Sequence, residues 1–175
     1  AAARFLRVAT GHLVEKWDAR ERYRDLGSNG AVYITNDRLA LVKASLTQPH
    51  NKHSKIGAAL VKLHAVTGDD EYLIKAAKLG ARYKRSLSLA DDRYQWNYWD
   101  PAGDWDIRAD DHARWKHWVG AEHRGGYYSL SLSQAVYLYE HGLIFDEHDI
   151  ARFMRTQLEV CWDGDLKDPT WRRVN

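Results

Sequence analysis

One structural plan is written twice in this chain. "KIGAALVKLHAV" places Ile56, Ala59, Leu60, Leu63 and Val66 on one helical face, and Gly68 follows as its C-terminal cap. Asp69 or Asp70 then caps "EYLIKAAKLGARYKRSL", whose Leu73, Ile74, Ala77 and Leu79 suit packing back on the first helix. Further on, "SLSLSQAVYLYEHG" stops at Gly142, and Asp146 caps "FDEHDIARFMRTQLEV". Gly68 and Gly142 lie 74 positions apart. The same offset sets Asn51 against Gly125, His53 against Tyr127 and Ser54 against Tyr128. Two helical hairpins of one design predict a mainly α fold, a stacked or ring-shaped α/α array, and residues 1–175 have the length of one domain.

The remaining segments modify this plan. From Arg4 to about Leu26, Phe5, Leu6, Ala9, Leu13 and Trp17 fall near helical spacing, and Gly27-Ser28-Asn29-Gly30 supplies a stop. "AVYIT" and "RLALV" flank Asn36-Asp37 and read as a small β-hairpin, which Pro49 ends. "RYQWNYW" reads as a strand, followed by a polar stretch rich in Asp and Gly. The expectation is therefore helical hairpins with a small β-hairpin and a strand inserted between them.

Charge excludes some functions. Lys and Arg number 26 against 24 acids, a formal charge of +2, so the whole molecule offers no electrostatic case for nucleic acid or an anionic membrane. No run of ~18 apolar residues is present to span a bilayer. Cys161 is alone, which rules out an internal disulfide framework and a Cys-based zinc site. The start is too polar after its first residues for a signal peptide and there is no initiator Met, which predicts a processed chain or a piece of a larger one.

Equivalent helices running side by side place their N-termini at one end, so "HNKHS" and "EHRGGYYS" are expected at a single opening. Helix N-termini present unpaired N–H groups and partial positive charge, a favourable setting for a carboxylate. Asn51 and His53 supply an amide donor and a proton carrier, with Lys52 beside them. His123, Arg124, Tyr127 and Tyr128 supply a base, a cation and two phenols. These are the groups needed to remove a proton α to a carboxylate: cation and amide neutralise the acid while Tyr or His exchanges protons. Trp96, Asn97, Tyr98, Trp99, Trp115, Trp118 and Glu122 are candidates to line the groove, with strand alternation setting Trp96 and Tyr98 on one face and Asn97 and Trp99 on the other. The same residues also fit plainer roles, Asn51 or Ser54 as a helix cap and the aromatics as core. His50 and His53 have an HxxH spacing but no carboxylate to complete a metal motif, so no metal is expected. Asp100, Asp104, Asp106, Asp110 and Asp111 lack regular calcium-loop spacing and read as a solvated loop.

On "NKHS", "TGDDEYLIKAAKL", "WNYWDP" and "EHRGGYYSL", the chain resembles part of an α/α-toroid polysaccharide lyase of the alginate and glucuronan type over roughly residues 48–160. The resemblance implies an acidic polysaccharide partner, no cofactor, and a periplasmic or secreted location. It implies that Asn51 and His53 sit at the carboxylate, that His123 and Arg124 act as base and neutraliser, and that Tyr127 or Tyr128 is the catalytic phenol. A full toroid needs more hairpins than this length holds, so missing chain would complete the site. Two other readings stay open: a glycoside hydrolase pairing Glu122 with an Asp of the 100–111 loop, and a non-catalytic glycan-binding repeat module.

Overall fold

The computed structural model describes residues 2–37, 44–122 and 125–170. The fold is mainly helical, with two small antiparallel hairpins. α1 (Ala2–Thr10) passes through a π-helical turn (Gly11–Glu15) into the short α2 (Lys16–Asp18). Leu6, Ala9, Leu13 and Trp17 pack on the core, while Phe5 and Val8 face solvent.

The first helix ends earlier than its pattern predicts. Tyr23–Asp25 forms β1, which pairs with β2 (Ala31–Tyr33) in the register Tyr23↔Tyr33 and Asp25↔Ala31. β2 was expected to pair across Asn36-Asp37; residues 38–43 of that hairpin lie outside the described residues. The chain does double back, since Ile34 bridges Thr47 and the Thr35 N–H donates to the Leu46 carbonyl. Gly30, at φ 89°, seats the β1–β2 turn on the second long helix: a Cβ there would stand 2.4 Å from the Lys78 carbonyl oxygen and 2.5 Å from the Arg82 nitrogen.

The hairpins form where the local signals place them. α3 (His50–Thr67) stops at Gly68, whose left-handed backbone (φ 72°) lets its N–H return to the His64 carbonyl. α4 (Asp70–Ser86) starts at Asp69, whose carboxylate accepts the Glu71 N–H at 3.0 Å. Leu60, Val61 and Leu63 of α3 share one apolar cluster with Ala76, Leu79 and Tyr83 of α4. Ile74 and Val66, expected on the buried faces, are instead exposed, because the contact runs along the neighbouring stripe of each helix.

β3 (Ser88–Ala90) and β4 (Arg93–Gln95) follow, joined by Asp91 and Asp92, both at positive φ, as a two-residue hairpin turn of the primed type requires. An irregular stretch then leads to α5 (Gly126–Glu140). Gly142 (φ 67°) follows α5, and Asp146 opens α6 (Glu147–Arg155) with a reciprocal capping box to Asp149. A π-helical turn, Thr156–Cys161, closes the described helices. α3 packs against both α4 and α5, so it is the centre of the helical layer.

Candidate functional site at two helix mouths

α3 and α5 begin at one end of the molecule, and residues 97–100 hold them there. His50, the first residue of α3, sits 3.0 Å from Asp100 Oδ2 through Nε2. Tyr98, two residues from Asp100, packs its ring on that of Tyr127, the second residue of α5, at 5.6 Å. Asn97 donates to the other Asp100 oxygen at 2.8 Å. An antiparallel bridge from Asn97 to Ala121 ties this segment to the approach into α5.

The two mouths differ from the starts of α4 and α6. α4 and α6 are capped by Asp69 and Asp146. α3 starts after Pro49 and α5 after Gly125 (φ 116°), and neither receives a side-chain cap. The Lys52 N–H turns back to the Pro49 carbonyl, and among the described residues no side chain takes the other first-turn N–H groups of either mouth, where the positive end of the dipole also lies.

Asp100 is the electrostatic pivot. Burial raises its carboxyl, but hydrogen bonding and charge from His50, the Asn97 amide and the Arg82 charge outweigh that and hold it below the usual carboxylate range. An ionised carboxylate only accepts, so His50 donates through Nε2. Its Nδ1 is buried without a partner among the described residues, as are Asn51 Oδ1 and the Tyr83 hydroxyl. The Tyr83 ring lies 5.0 Å from that of His50. Burial first, then the Glu122, Tyr128 and Asp100 charges, push its phenol well up.

Each residue expected at the opening has a definite place, apart from His123 and Arg124, which lie outside the described residues. Tyr127 is 61% exposed, Trp115 47% and Trp118 44%, and Lys52 also faces solvent. Tyr98 and Asn97 are half-buried. His117 packs edge-on against Tyr98 at 5.9 Å and near Trp99 at 5.5 Å. Tyr127, Tyr98 and His117 thus form a run of ring contacts next to the polar Asn97–Asp100–His50 cluster.

Other expected site residues are turned inward. His53 accepts the Tyr33 N–H on Nε2 at 2.9 Å, and burial drives its imidazole down to about 3, so it is a neutral strut between α3 and β2 with no open face for a substrate proton. Asn51 is buried beside it in sequence, with its amide oxygen unpaired. Trp96 and Trp99 are sealed and are not platforms. Period-two alternation fails here because β4 ends at Gln95 and the chain then turns; Trp96 donates to Glu122 at 2.5 Å and Trp99 to the Thr47 carbonyl at 2.7 Å. Tyr128 stacks on Trp96 and donates to Gln157, with Cys161 Sγ at 3.4 Å, so it is a core phenol. Glu122 is fully enclosed between Trp96 and Ser131, and burial raises its carboxyl to about 7 despite both hydrogen bonds. It cannot touch a substrate from there.

Asp106, read as part of a solvated loop, is also enclosed. It accepts from the Thr47 N–H and hydroxyl and from the Ala102 N–H, pinning the 97–106 segment beneath α3. His50 and Asp100 were not singled out as a pair. Fifty residues separate them, and only the chemical complementarity of imidazole and carboxylate could have suggested it.

Among the described residues, no group of three or more His, Cys, Asp or Glu is arranged to hold a metal, and no helix is long and apolar enough to cross a membrane. No family model, curated protein or solved structure matches this chain.

Proposed function

We propose that the chain is part of an α/α toroid and that it cleaves a uronic-acid polysaccharide, of the alginate or glucuronan kind, by β-elimination. The observation that carries this reading is the convergence of two helix N-termini without side-chain caps on the Asn97–Asp100 segment, beside the exposed Tyr127 phenol. The N–H groups of both mouths suit a sugar carboxylate, and indole and phenol faces suit the apolar face of a pyranose ring.

The chemistry is a proton removal and an elimination. Neutralising the carboxylate lowers the cost of taking hydrogen from C5, since the charge passes onto the carboxyl group as an enolate. The C4–O bond then breaks, its oxygen takes a proton, and a C4–C5 double bond remains; no water enters. Tyr127 is the exposed phenol positioned for proton transfer. His123 and Arg124, immediately before α5 in sequence, are proposed as base and neutraliser. His50, oriented by Asp100, and Asn51 form the polar bed that orders the mouth of α3. In this reading other chain completes the ring and the groove, and the protein is periplasmic or secreted.

The carboxylate-pair hydrolase reading loses support from the enclosure of Glu122, which leaves it no route to a glycosidic oxygen. Product masses separate the possibilities. A lyase gives oligosaccharides that sum to the substrate with no added water, a hydrolase adds one water per cut, and a glycan-binding module gives no products. Digests of polyglucuronate and polymannuronate are expected to show the first pattern; either of the others rejects the proposal.

A further inference from the structure

A concavity lies between α3 and α5. Ser54, Lys55, Gly57 and Lys62 line one side and Gln134 and Tyr137 the other, around about 210 Å³. That is below the ~300–1,000 Å³ of sites for drug-sized ligands, so its occupant is the size of a single ring.

Three features make this more than a seam between helices. Gln134 is 3% exposed, yet neither its amide nitrogen nor its amide oxygen has a hydrogen-bond partner among the described residues. Buried amides left unpaired are costly, and a donor and acceptor side by side in a groove wall point to a ligand that uses both. Gly57 faces that amide, with its Cβ position 3.7 Å from Gln134 Nε2, so the opposite wall brings no large side chain to the amide. Two lysines also line the groove: ion pairs among the described residues engage Lys75, Lys78 and Lys84 but neither Lys55 nor Lys62. The rest of the lining includes the apolar Ala58 and Leu138.

We infer that the α3–α5 groove binds a small hydroxylated carboxylate of the sugar-acid class, with Lys55 and Lys62 holding the carboxylate, the Gln134 amide bridging ring hydroxyls, and the apolar wall taking the face of the ring. None of the residues given a role in the preceding subsection takes part, so this site stands or falls separately from the elimination chemistry.

The test is a titration of isotope-labelled protein with D-glucuronate, followed by nuclear magnetic resonance, with D-glucose as the neutral control. Saturable shifts at the Gln134 side-chain amide and along residues 54–62 are expected, with a Kd on the order of 1 mM and no matching response to glucose. Lys55→Ala combined with Lys62→Ala is expected to weaken binding about tenfold. Gln134→Leu is expected to abolish it while leaving Tm unchanged or higher, because a buried unpaired amide has been replaced by an apolar group. A glucuronate trisaccharide shifting the same signals at much lower concentration would assign the site to a polymer residue, and equal affinity would assign it to the free sugar acid. Absence of saturable shifts, an equal response to glucose, or a clear Tm loss in Gln134→Leu would overturn the inference. So would a concentration-dependent dimer burying these residues, which would make the groove a contact between copies.

Discussion

Adjacent residues at the start of α5 carry opposite duties. Tyr127 is exposed and packs on the Tyr98 ring, whereas Tyr128 is tied to Gln157 and Cys161 and stacks on Trp96. Tyr127→Phe is therefore expected to leave Tm unchanged and to cost ~10²–10⁴-fold in lyase turnover, the usual contribution of a positioned proton-transfer group. Tyr128→Phe is expected to destabilise by ~0.5–1.5 kcal/mol, seen as a lower urea midpoint, with turnover retained. The sequence made both phenols equal candidates, because adjacent helical positions differ by about 100° and only the partners of each face reveal which one is inward. His53 follows the same logic. Its expected place at the helix mouth marked it as a proton carrier, yet it holds the Tyr33 N–H, and His53→Ala is expected to cost ~1–3 kcal/mol of stability by orphaning that buried donor, measured by equilibrium denaturation.

At the scale of elements, what was readable was what is locally encoded. Gly68, Asp69, Gly142 and Asp146 act within a few residues of their own positions, so both hairpins and their turns were visible before any packing was known, whereas α3 starts after Pro49 rather than at an Asn51 or Ser54 cap. The end of the first helix was not, since the pairing of β1 with β2 overrides a pattern that continues past Asp18. The 96–122 segment was least legible. Its Trp and Asp side chains follow long-range partners, Thr47 above all, which receives Asp106, Trp99 and Trp105 from more than fifty residues away. Asp106→Ala is expected to cost at least ~2–3 kcal/mol, because three donors lose a charged acceptor. It is also expected to raise amide exchange across residues 97–106 while α4 and α6 stay protected; uniform loss of protection would show that this segment is not a separable element.

For the whole molecule, two buried groups set opposing pH dependences. Glu122 has its carboxyl raised to about 7, so its contribution is fully present below the ordinary Glu range and is lost as pH rises through 7. The loss is on the order of 3 kcal/mol across that window. His53 is lowered to about 3, so its contribution is present above the ordinary His range and is lost as pH falls below about 6.5. Glu122→Gln is expected to flatten the fall in Tm between pH 5 and 8 and to leave the acid limb unchanged; an unaltered alkaline limb would show that Glu122 ionises freely. The mainly α architecture was evident from the repeat, while closure into a toroid depends on more hairpins than these residues provide.

The proposal that α3 and α5 meet at one acidic-sugar site is tested most directly by following the ultraviolet absorbance of the C4–C5 double bond during incubation with polyglucuronate and polymannuronate. The native protein and the Tyr128→Phe variant, once corrected for folded fraction, are predicted to generate the chromophore, and Tyr127→Phe to lose it. A flat trace from the native protein on every polyuronate, or equal rates from native protein and Tyr127→Phe, would contradict the account.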